Sequence, residues 1–329
     1  MNEARSTLQQ AIIGFRLSQM ISVAAKLRLA DLVRERPLSV RDLAEATRTH
    51  EDSLYRLLRA LASYGVFAEE GNRIFRLTPQ ADLLRSDVAG SLRISAEVVA
   101  EPWMWSSWSA LLHSVQTGET AFDHLYGKDT WTYFAENSTA SGLFNELMEE
   151  VSKPDAHAVV EAFDFEGKKV VDVAGGQGVL LAAILDRNPT ARGVLFNLPH
   201  VIAGVRSEHA GRLELLCGDF FDSIPAGGDI YILKNILHDW EDRRAGQILA
   251  RCREAMTVEA RLLIIENLVY GPNEPCKGKS GDIHMMLRCG GRNRTESELG
   301  DLLLASGFQV LRVTPTEGGP DLLEASPRS

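Results

Sequence analysis

The sequence predicts an α/β protein, a doubly wound parallel sheet preceded by a mainly helical N-terminal domain. Three observations carry this reading. From Val170 onward, short Val/Ile/Leu runs alternate with helical patterns, whereas the residues up to about 155 contain no convincing buried parallel strand. Residues 38 to 67 place Leu43, Leu54, Leu57, Leu58 and Leu61 at helical spacing, and a short alternating segment follows. The 329 residues, 45% of them hydrophobic, suffice for one large domain and a smaller one.

In chain order, residues 12 to 30 (IIGFRLSQMISVAAKLRLA) form an amphipathic helix more apolar than a free surface helix should be. Residues 38 to 67 then read as a helix-turn-helix, with Asp52 or Ser53 capping the second helix and Gly65 stopping it. NRIFRLTPQADLL follows as a hairpin wing, because Phe75 and Leu77 alternate with Arg76. A winged helix suggests DNA binding, yet the second helix carries only Arg56 and Arg59. A packing and dimerisation module is the favoured reading, giving a homodimer. The expected division is a winged-helix dimerisation domain over 1–90, a helical linker and substrate-pocket segment over 91–155, and the sheet domain over 156–329. Five strands are expected in KKVVDVAGG, ARGVLFNLP, LELLCGDFF, GDIYILKNIL and RLLIIENLV, most of them separated by helical segments. FQVLRVTPT and DLLEASPR close the chain as a hairpin.

Charge narrows the function classes. Thirty-five Lys and Arg against 45 Asp and Glu leave a net charge of −10, which argues against nucleic acid and anionic membranes as partners. No apolar run reaches the roughly 18 residues of a spanning helix, and MNEARSTLQQ lacks a signal-peptide pattern, so a cytoplasmic protein is expected. Cys217, Cys252, Cys276 and Cys289 lack CxxC spacing, which argues against a structural zinc site or disulfide framework.

The sharpest local signal is VVDVAGGQGVLLAAIL. A strand carrying Asp172 runs into a turn with Gly175, Gly176 and Gly178, and a helix follows, so main chain can approach a ligand closely at a helix N-terminus. It is neither a P-loop, which needs Gly-Lys-Ser/Thr, nor a clean GxGxxG, since Leu181 occupies the third glycine's place. Strand ends in an open α/β sheet line the ligand crevice. Asn197, in LFNLPHVI with Leu198 beside it, can therefore reach a ribose hydroxyl; Asp219 can accept from an adenine amine, with Phe220 against the ring. YILKNILHDWED sets Lys234, His238 and Asp239 on the same rim.

Taken in order and spacing, DVAGGQG, NLPHVI, GDFF, LKNILHDWED, LLIIEN and DIHMMLRCGGRNRTESEL resemble the S-adenosylmethionine-dependent small-molecule O-methyltransferases related to plant caffeate and bacterial polyketide enzymes. The likeness covers nearly the whole chain. It implies a Rossmann-like class I methyltransferase sheet, an N-terminal winged-helix dimerisation domain, and S-adenosyl-L-methionine as cofactor, with S-adenosyl-L-homocysteine as product. Position by position, it implies cofactor contacts at Ser152, the turn from Ala174 to Gly178, Asn197, Asp219, Phe220 and Lys234. It makes His238 the general base and Glu266 the first of two carboxylates flanking it. Phe144, Met148 and Met285 match substrate-lining positions, and the Trp-bearing helices around Trp103, Trp105, Trp108 and Trp131 are expected to form the pocket, with Trp103 and His284 as substrate candidates.

Two departures stand out. The family's acidic ribose ligand is here Asn197, which accepts without charge. The second flanking Glu is replaced by Asn293, so the usual clamp on His238 is incomplete. The first reading is O-methylation of a small aromatic metabolite. Methyl transfer needs a nucleophile aligned with the S–CH3 bond and a base for its proton. A phenol with pKa about 10 is mostly neutral at pH 7, and His238, with Asp239 or Glu266 fixing its tautomer, can take that proton. The second reading is a C-methyltransferase or a non-methylating relative, motivated by Asn293 and His284. A transcription regulator and a catalytically silent binder are the readings from other classes. No metal is assigned; the alternative is a two-His site formed by His238 and His284.

Overall fold

The computed structural model describes residues 2–206, 209, 211–316 and 319–328. It falls into two compact units. One comprises the residues up to Trp105 together with Gly142–Glu150; the other comprises Ser106–Ser141 and the residues from Val151 onward. The segment expected as one linker over 91–155 is thus divided. Its middle joins the sheet unit because the helices Leu111–Thr117 and Ala121–Tyr126 pack on the helix Lys277–Arg288.

In the first unit, the helix Asn2–Lys26 is followed by Arg28 in left-handed conformation (φ 52°) and by Leu29–Leu32. Val40–Thr47 and Glu51–Ser63 form the helix-turn-helix. Leu43, Leu54, Leu58 and Leu61 are buried in one core with Phe67 and Phe75, while Leu57 packs on it half-buried. The expected cap was misplaced. The second helix begins at Glu51, so His50 caps it, its Nδ1 accepting from the Ser53 N–H at 3.3 Å. Asp52 and Ser53 lie inside the first turn, where an acidic side chain complements the helix dipole. The wing is real: β1 (Leu38–Ser39), β2 (Phe67–Gly71) and β3 (Ile74–Leu77) form a sheet in the order β1-β3-β2.

The second unit contains β4 (Lys169–Val173), β5 (Arg192–Asn197), β6 (Leu213–Cys217), β7 (Ile230–Lys234), β8 (Arg261–Glu266), β9 (Phe308–Thr314) and β10 (Asp321–Pro327). Their order is β6-β5-β4-β7-β8-β10-β9. The first five strands in this order are parallel to one another, and β10 runs antiparallel to both β8 and β9. Buried on both faces, the central strands read as nearly unbroken apolar runs, and their period of two sorts residues between two cores. Val171, Tyr231, Leu262 and Leu323 face one core. Val170, Ile230, Leu263 and Leu322 face the other. After β4 the chain builds outward through β5 and β6, then returns to β7 on the other side. The crevice beyond the C-terminal ends of β4 and β7 is the topological switch point where such sheets bind ligands. Among the described residues no helix is long and apolar enough to cross a membrane.

Candidate active site

The turn after β4 is built around Asp172. Its carboxylate is 1% exposed, and both oxygens lack a hydrogen-bond partner among the described residues. Burial pushes the group up to about 7, opposed by the positive charge of Lys234. Gly175 lies directly over it: a Cβ there would stand 2.2 Å from Asp172 Oδ2. Gly176, at φ +61°, faces open space, with nothing within 4 Å of its would-be Cβ. The helix Val179–Arg187 starts at Gly178 with no side-chain cap, so its first N–H groups stay available for an anionic ligand group. An orphaned carboxylate, an open cradle and helix N–H donors together fit an α-amino-acid group, whose ammonium and carboxylate need opposite partners.

The next two strand ends are partly committed to their own loops. Asn197 Oδ1 accepts from the Leu198 N–H at 2.8 Å, which identifies the oxygen end of the amide and leaves its NH2 as the available donor. Asp219 is exposed, and its Oδ1 accepts from the Phe221 N–H at 2.8 Å, leaving Oδ2 for a ligand. Phe220 packs edge-on against Phe221 and Trp240. At the end of β7, Lys234 Nζ bonds Asp155 at 2.9 Å and Ser152 at 3.2 Å. The expected Ser152 and Lys234 therefore meet. Asp155, one helical turn after Ser152, was missed, although its spacing was a usable signal. Asn235 was also missed: like Ala174, it holds a positive φ (55° and 58°), so both strand ends at the switch point are conformationally strained.

His238 sits in the short 3-10 turn Leu237–Asp239 beyond β7. Its side chain is 14% exposed, and Nε2 lies 3.8 Å from Asp239 Oδ1, too long for a hydrogen bond. Nδ1 is buried without a hydrogen bond among the described residues. Burial, followed by the positive charges of Arg288, Lys234 and Arg294, pushes the imidazole down to about 3. Asp239 and Glu266 are both raised to about 7, in each case chiefly by burial.

The two expected flanking groups do not bond the ring. Glu266, at the end of β8, accepts the backbone N–H of His238 at 2.9 Å, because the 3-10 turn directs its unpaired N–H groups at the carboxylate. Asn293 donates its Nδ2 to Asn267 O at 2.9 Å, and its own N–H bonds Asp282 at 3.0 Å, which fastens it to the loop after β8. Asp239 is the acidic side chain nearest the ring nitrogens. Arg294, 1% exposed, holds the other side of the turn through Leu237 O (2.9 Å), Trp240 O (2.9 Å) and Asp242 (2.8 Å).

Around this rim the helix Lys277–Arg288 contributes His284, Met285 and Arg288. His284 stacks on Trp108 with ring centroids 6.0 Å apart, and burial pushes it down to about 3, with Arg288 and His238 contributing. Met285 is buried, and Cys289 Sγ donates to Asp239 at 3.7 Å. Trp131 stacks on Trp240 at 6.3 Å. Sequence reasoning did not mark Arg288 or Cys289, whose partners are distant in the chain. Among the described residues no group of three or more His, Cys, Asp and Glu side chains could hold a metal ion. Trp103, buried, and Phe144 and Met148, one helical turn apart on Ser138–Ala162, belong to the first unit.

Comparison with known proteins adds a family. An O-methyltransferase domain model matches residues 108–309, and an O-methyltransferase dimerisation domain model matches residues 9–87. The chain is 44% identical to a phenazine O-methyltransferase of Lysobacter antibioticus over 98% of this chain and 96% of that one. It is 39% identical to a mitomycin biosynthesis 6-O-methyltransferase of Streptomyces lavendulae, over 96% and 93% of the two chains. At 34% identity, covering 95% and 92%, a relative from Streptomyces davaonensis is an N,N-dimethyltransferase of 8-amino-8-demethylriboflavin. Among solved structures, a calicheamicin-biosynthesis methyltransferase with bound S-adenosylhomocysteine superposes with a TM-score of 0.86 at 30% identity, over 99% of both chains.

Proposed function

This chain belongs to the S-adenosylmethionine-dependent O-methyltransferase family with an N-terminal dimerisation domain, and from that premise we propose that it methylates a hydroxyl of a small aromatic acceptor, with His238 as general base. The acceptor class follows the relatives, of which one is named for phenazines and another for mitomycin biosynthesis. The dimerisation match supports a homodimer.

When bound, S-adenosylmethionine supplies an electrophilic sulfonium methyl. Asp172, the turn over Gly175 and Gly176, and the N-terminus of Val179–Arg187 would hold its amino-acid end; Asn197, Asp219 and Phe220 would hold the nucleoside. Lys234, neutralised by Asp155, contributes position more than net charge. The observation that carries the proposal is the placement of His238: Glu266 holds its backbone N–H at 2.9 Å and so sets it at the rim beside the switch point, and burial, which lowers its pKa, favours the neutral imidazole there. The imidazolium that forms on proton transfer would gain the carboxylate of Asp239, whose Oδ1 lies 3.8 Å from Nε2.

The test is methyl transfer to hydroxylated polycyclic aromatics, beginning with hydroxyphenazines. His238→Ala should lose about 100-fold or more in kcat, the scale of general-base catalysis, while its S-adenosylhomocysteine affinity stays at the wild-type value. Because activity needs the neutral ring and its pKa is depressed, the acid limb of kcat/KM should lie well below pH 6.5. An acid limb at or above pH 6.5 that disappears in His238→Ala would contradict the depressed imidazole, and unchanged kcat in that variant would remove the base.

A further inference from the structure

Cys289 caps the C-terminal end of the helix Lys277–Arg288, and main-chain contacts fix where it meets the 3-10 turn that carries His238. Gly290 is left-handed (φ 70°) and turns the chain so that Gly291 lies flat on that turn: a Cβ at Gly291 would stand 2.0 Å from His238 O and 2.4 Å from Asp239 C. The Cys289 thiol reaches two oxygens, Met285 O at 3.5 Å and Asp239 Oδ1 at 3.7 Å, and the weak acceptor Met285 Sδ at 3.9 Å. Met285 O already accepts the N–H groups of Cys289 (3.0 Å) and Gly290 (3.1 Å), which occupies both of its lone pairs. The thiol proton is left for the carboxylate. Burial, followed by the charge of Asp239, raises the thiol well above its ordinary range, so it stays protonated and can donate. The oxygen it reaches, Oδ1, is the same atom that stands 3.8 Å from His238 Nε2.

We infer that Cys289 is a positioning residue for the proposed methyl transfer: its thiol holds Asp239 Oδ1 beside the His238 ring, where the carboxylate meets the imidazolium formed as the ring takes the acceptor's proton. This rests on the reading of His238 as general base. The thiol keeps its own proton throughout, and the proton leaving the acceptor hydroxyl ends on the imidazole. The surroundings explain why such a donor matters. The positive charges of Arg288, Lys234 and Arg294 all act on His238 and oppose an added positive charge on its ring. Asp239 is faced by Arg288 and Cys289 from the helix end and by Glu266 from β8, and burial favours its neutral form. A hydrogen bond from the thiol favours the carboxylate instead, and it fixes which oxygen faces the ring.

The experiment follows Asp239 by infrared spectroscopy in the full-length protein saturated with S-adenosylhomocysteine. Its protonated carboxyl band is assigned by its loss in Asp239→Asn. In wild type one S–H stretching band should shift across the same pH midpoint. In Cys289→Ala that midpoint should rise by about one unit, because a donor to the charged form is gone. Wild-type S–H bands that ignore the Asp239 titration overturn the inference, and this arm stands even if Cys289→Ala does not fold. So does an unmoved midpoint in a Cys289→Ala protein with wild-type S-adenosylhomocysteine affinity. Kinetics with a hydroxyphenazine read the consequence. Asp239 assists the base without taking the proton, so its ionisation should add a shallow step of about threefold to kcat near pH 7, separate from the acid limb of His238. The step should vanish in Asp239→Asn and move about one unit higher in Cys289→Ala, with the acceptor's KM unchanged. The double variant should behave as Asp239→Asn alone. Losses that multiply would make Cys289 a packing residue and overturn the inference. His238→Ala separates it from the reading beneath. Coupled infrared shifts with full kcat in that variant leave the thiol–carboxylate pair standing and remove the base; uncoupled bands with kcat lost do the reverse.

Discussion

A single methyl group added at Gly175 tests the construction of the cofactor turn. In Gly175→Ala the new Cβ would stand 2.2 Å from Asp172 Oδ2, 2.3 Å from Cγ and 2.7 Å from Oδ1. Restoring contact distances near 3.5 Å requires a displacement of roughly 1 Å. Neither party moves easily: Asp172 belongs to β4, which pairs with β5 and β7 on its two sides, and the adjoining Ala174 already holds a positive φ. Overpacking of this kind costs about 2 kcal/mol, which in a domain of this size lowers the melting midpoint by roughly 4–8 °C. On the proposed cofactor placement the displaced carboxylate would also leave its position opposite the ammonium, so S-adenosylhomocysteine affinity should fall at least tenfold. Gly176→Ala is the companion. Its Cβ meets nothing, so the unliganded protein bears only the left-handed backbone strain of about 1–2 kcal/mol, but the methyl occupies the cradle and weakens the ligand. Calorimetric titration and thermal melts with and without S-adenosylhomocysteine read both effects. A Gly175→Ala protein that melts and binds like wild type would refute the placement of Asp172 under the turn.

Two further outcomes follow from the same geometry. Asn197→Asp keeps the oxygen that accepts from Leu198 and adds a second, charged acceptor for the ribose, so titration should show tighter S-adenosylmethionine binding by about 1 kcal/mol; a loss of affinity would show that the amide NH2 is the working group. Deletion of residues 1–30 removes the exposed Leu8, Ile12 and Phe15 and should convert a dimer into a monomer by light scattering, whereas a wild-type monomer at micromolar concentration would contradict the assembly.

The sheet was legible because burial on both faces writes itself as apolar runs, and each of the five expected parallel strands contains the strand found. The glycine turn was legible because close main-chain approach admits few residue types; in the structure the group that Gly175 approaches is the Asp172 side chain. What the sequence did not show were contacts between segments far apart in the chain. The Lys234–Asp155 pair joins residues from β7 and the helix Ser138–Ala162, and nothing in either segment names the other. Glu266 was expected to flank the His238 side chain; it lies beside His238 but holds its backbone N–H, and that depends on which way the 3-10 turn presents its N–H groups. Arg288 was hidden because an arginine ending a helix ordinarily reads as a solvated charge complementing the dipole. Only the packed structure shows it buried.

The anchoring of His238, the proposed base, separates two kinds of information, where a residue sits and what surrounds its side chain. Glu266 grips its amide nitrogen, and Arg294 grips the carbonyls of Leu237 and Trp240, so the residue's address is written in main-chain contacts alone. The surroundings of the ring are supplied by other segments, among them the helix Lys277–Arg288 and the one bearing Trp108. Such a division makes the scaffold modular. On the proposed reading, exchanges in the segments around the ring should leave the main-chain position of His238 in place, because Glu266 and Arg294 hold it from elsewhere. For laboratory evolution this marks out a partition of the chain: on the proposed reading a library drawn from the segments around the ring would search acceptor space, whereas one drawn from Glu266 and Arg294 would release the main chain of the proposed base.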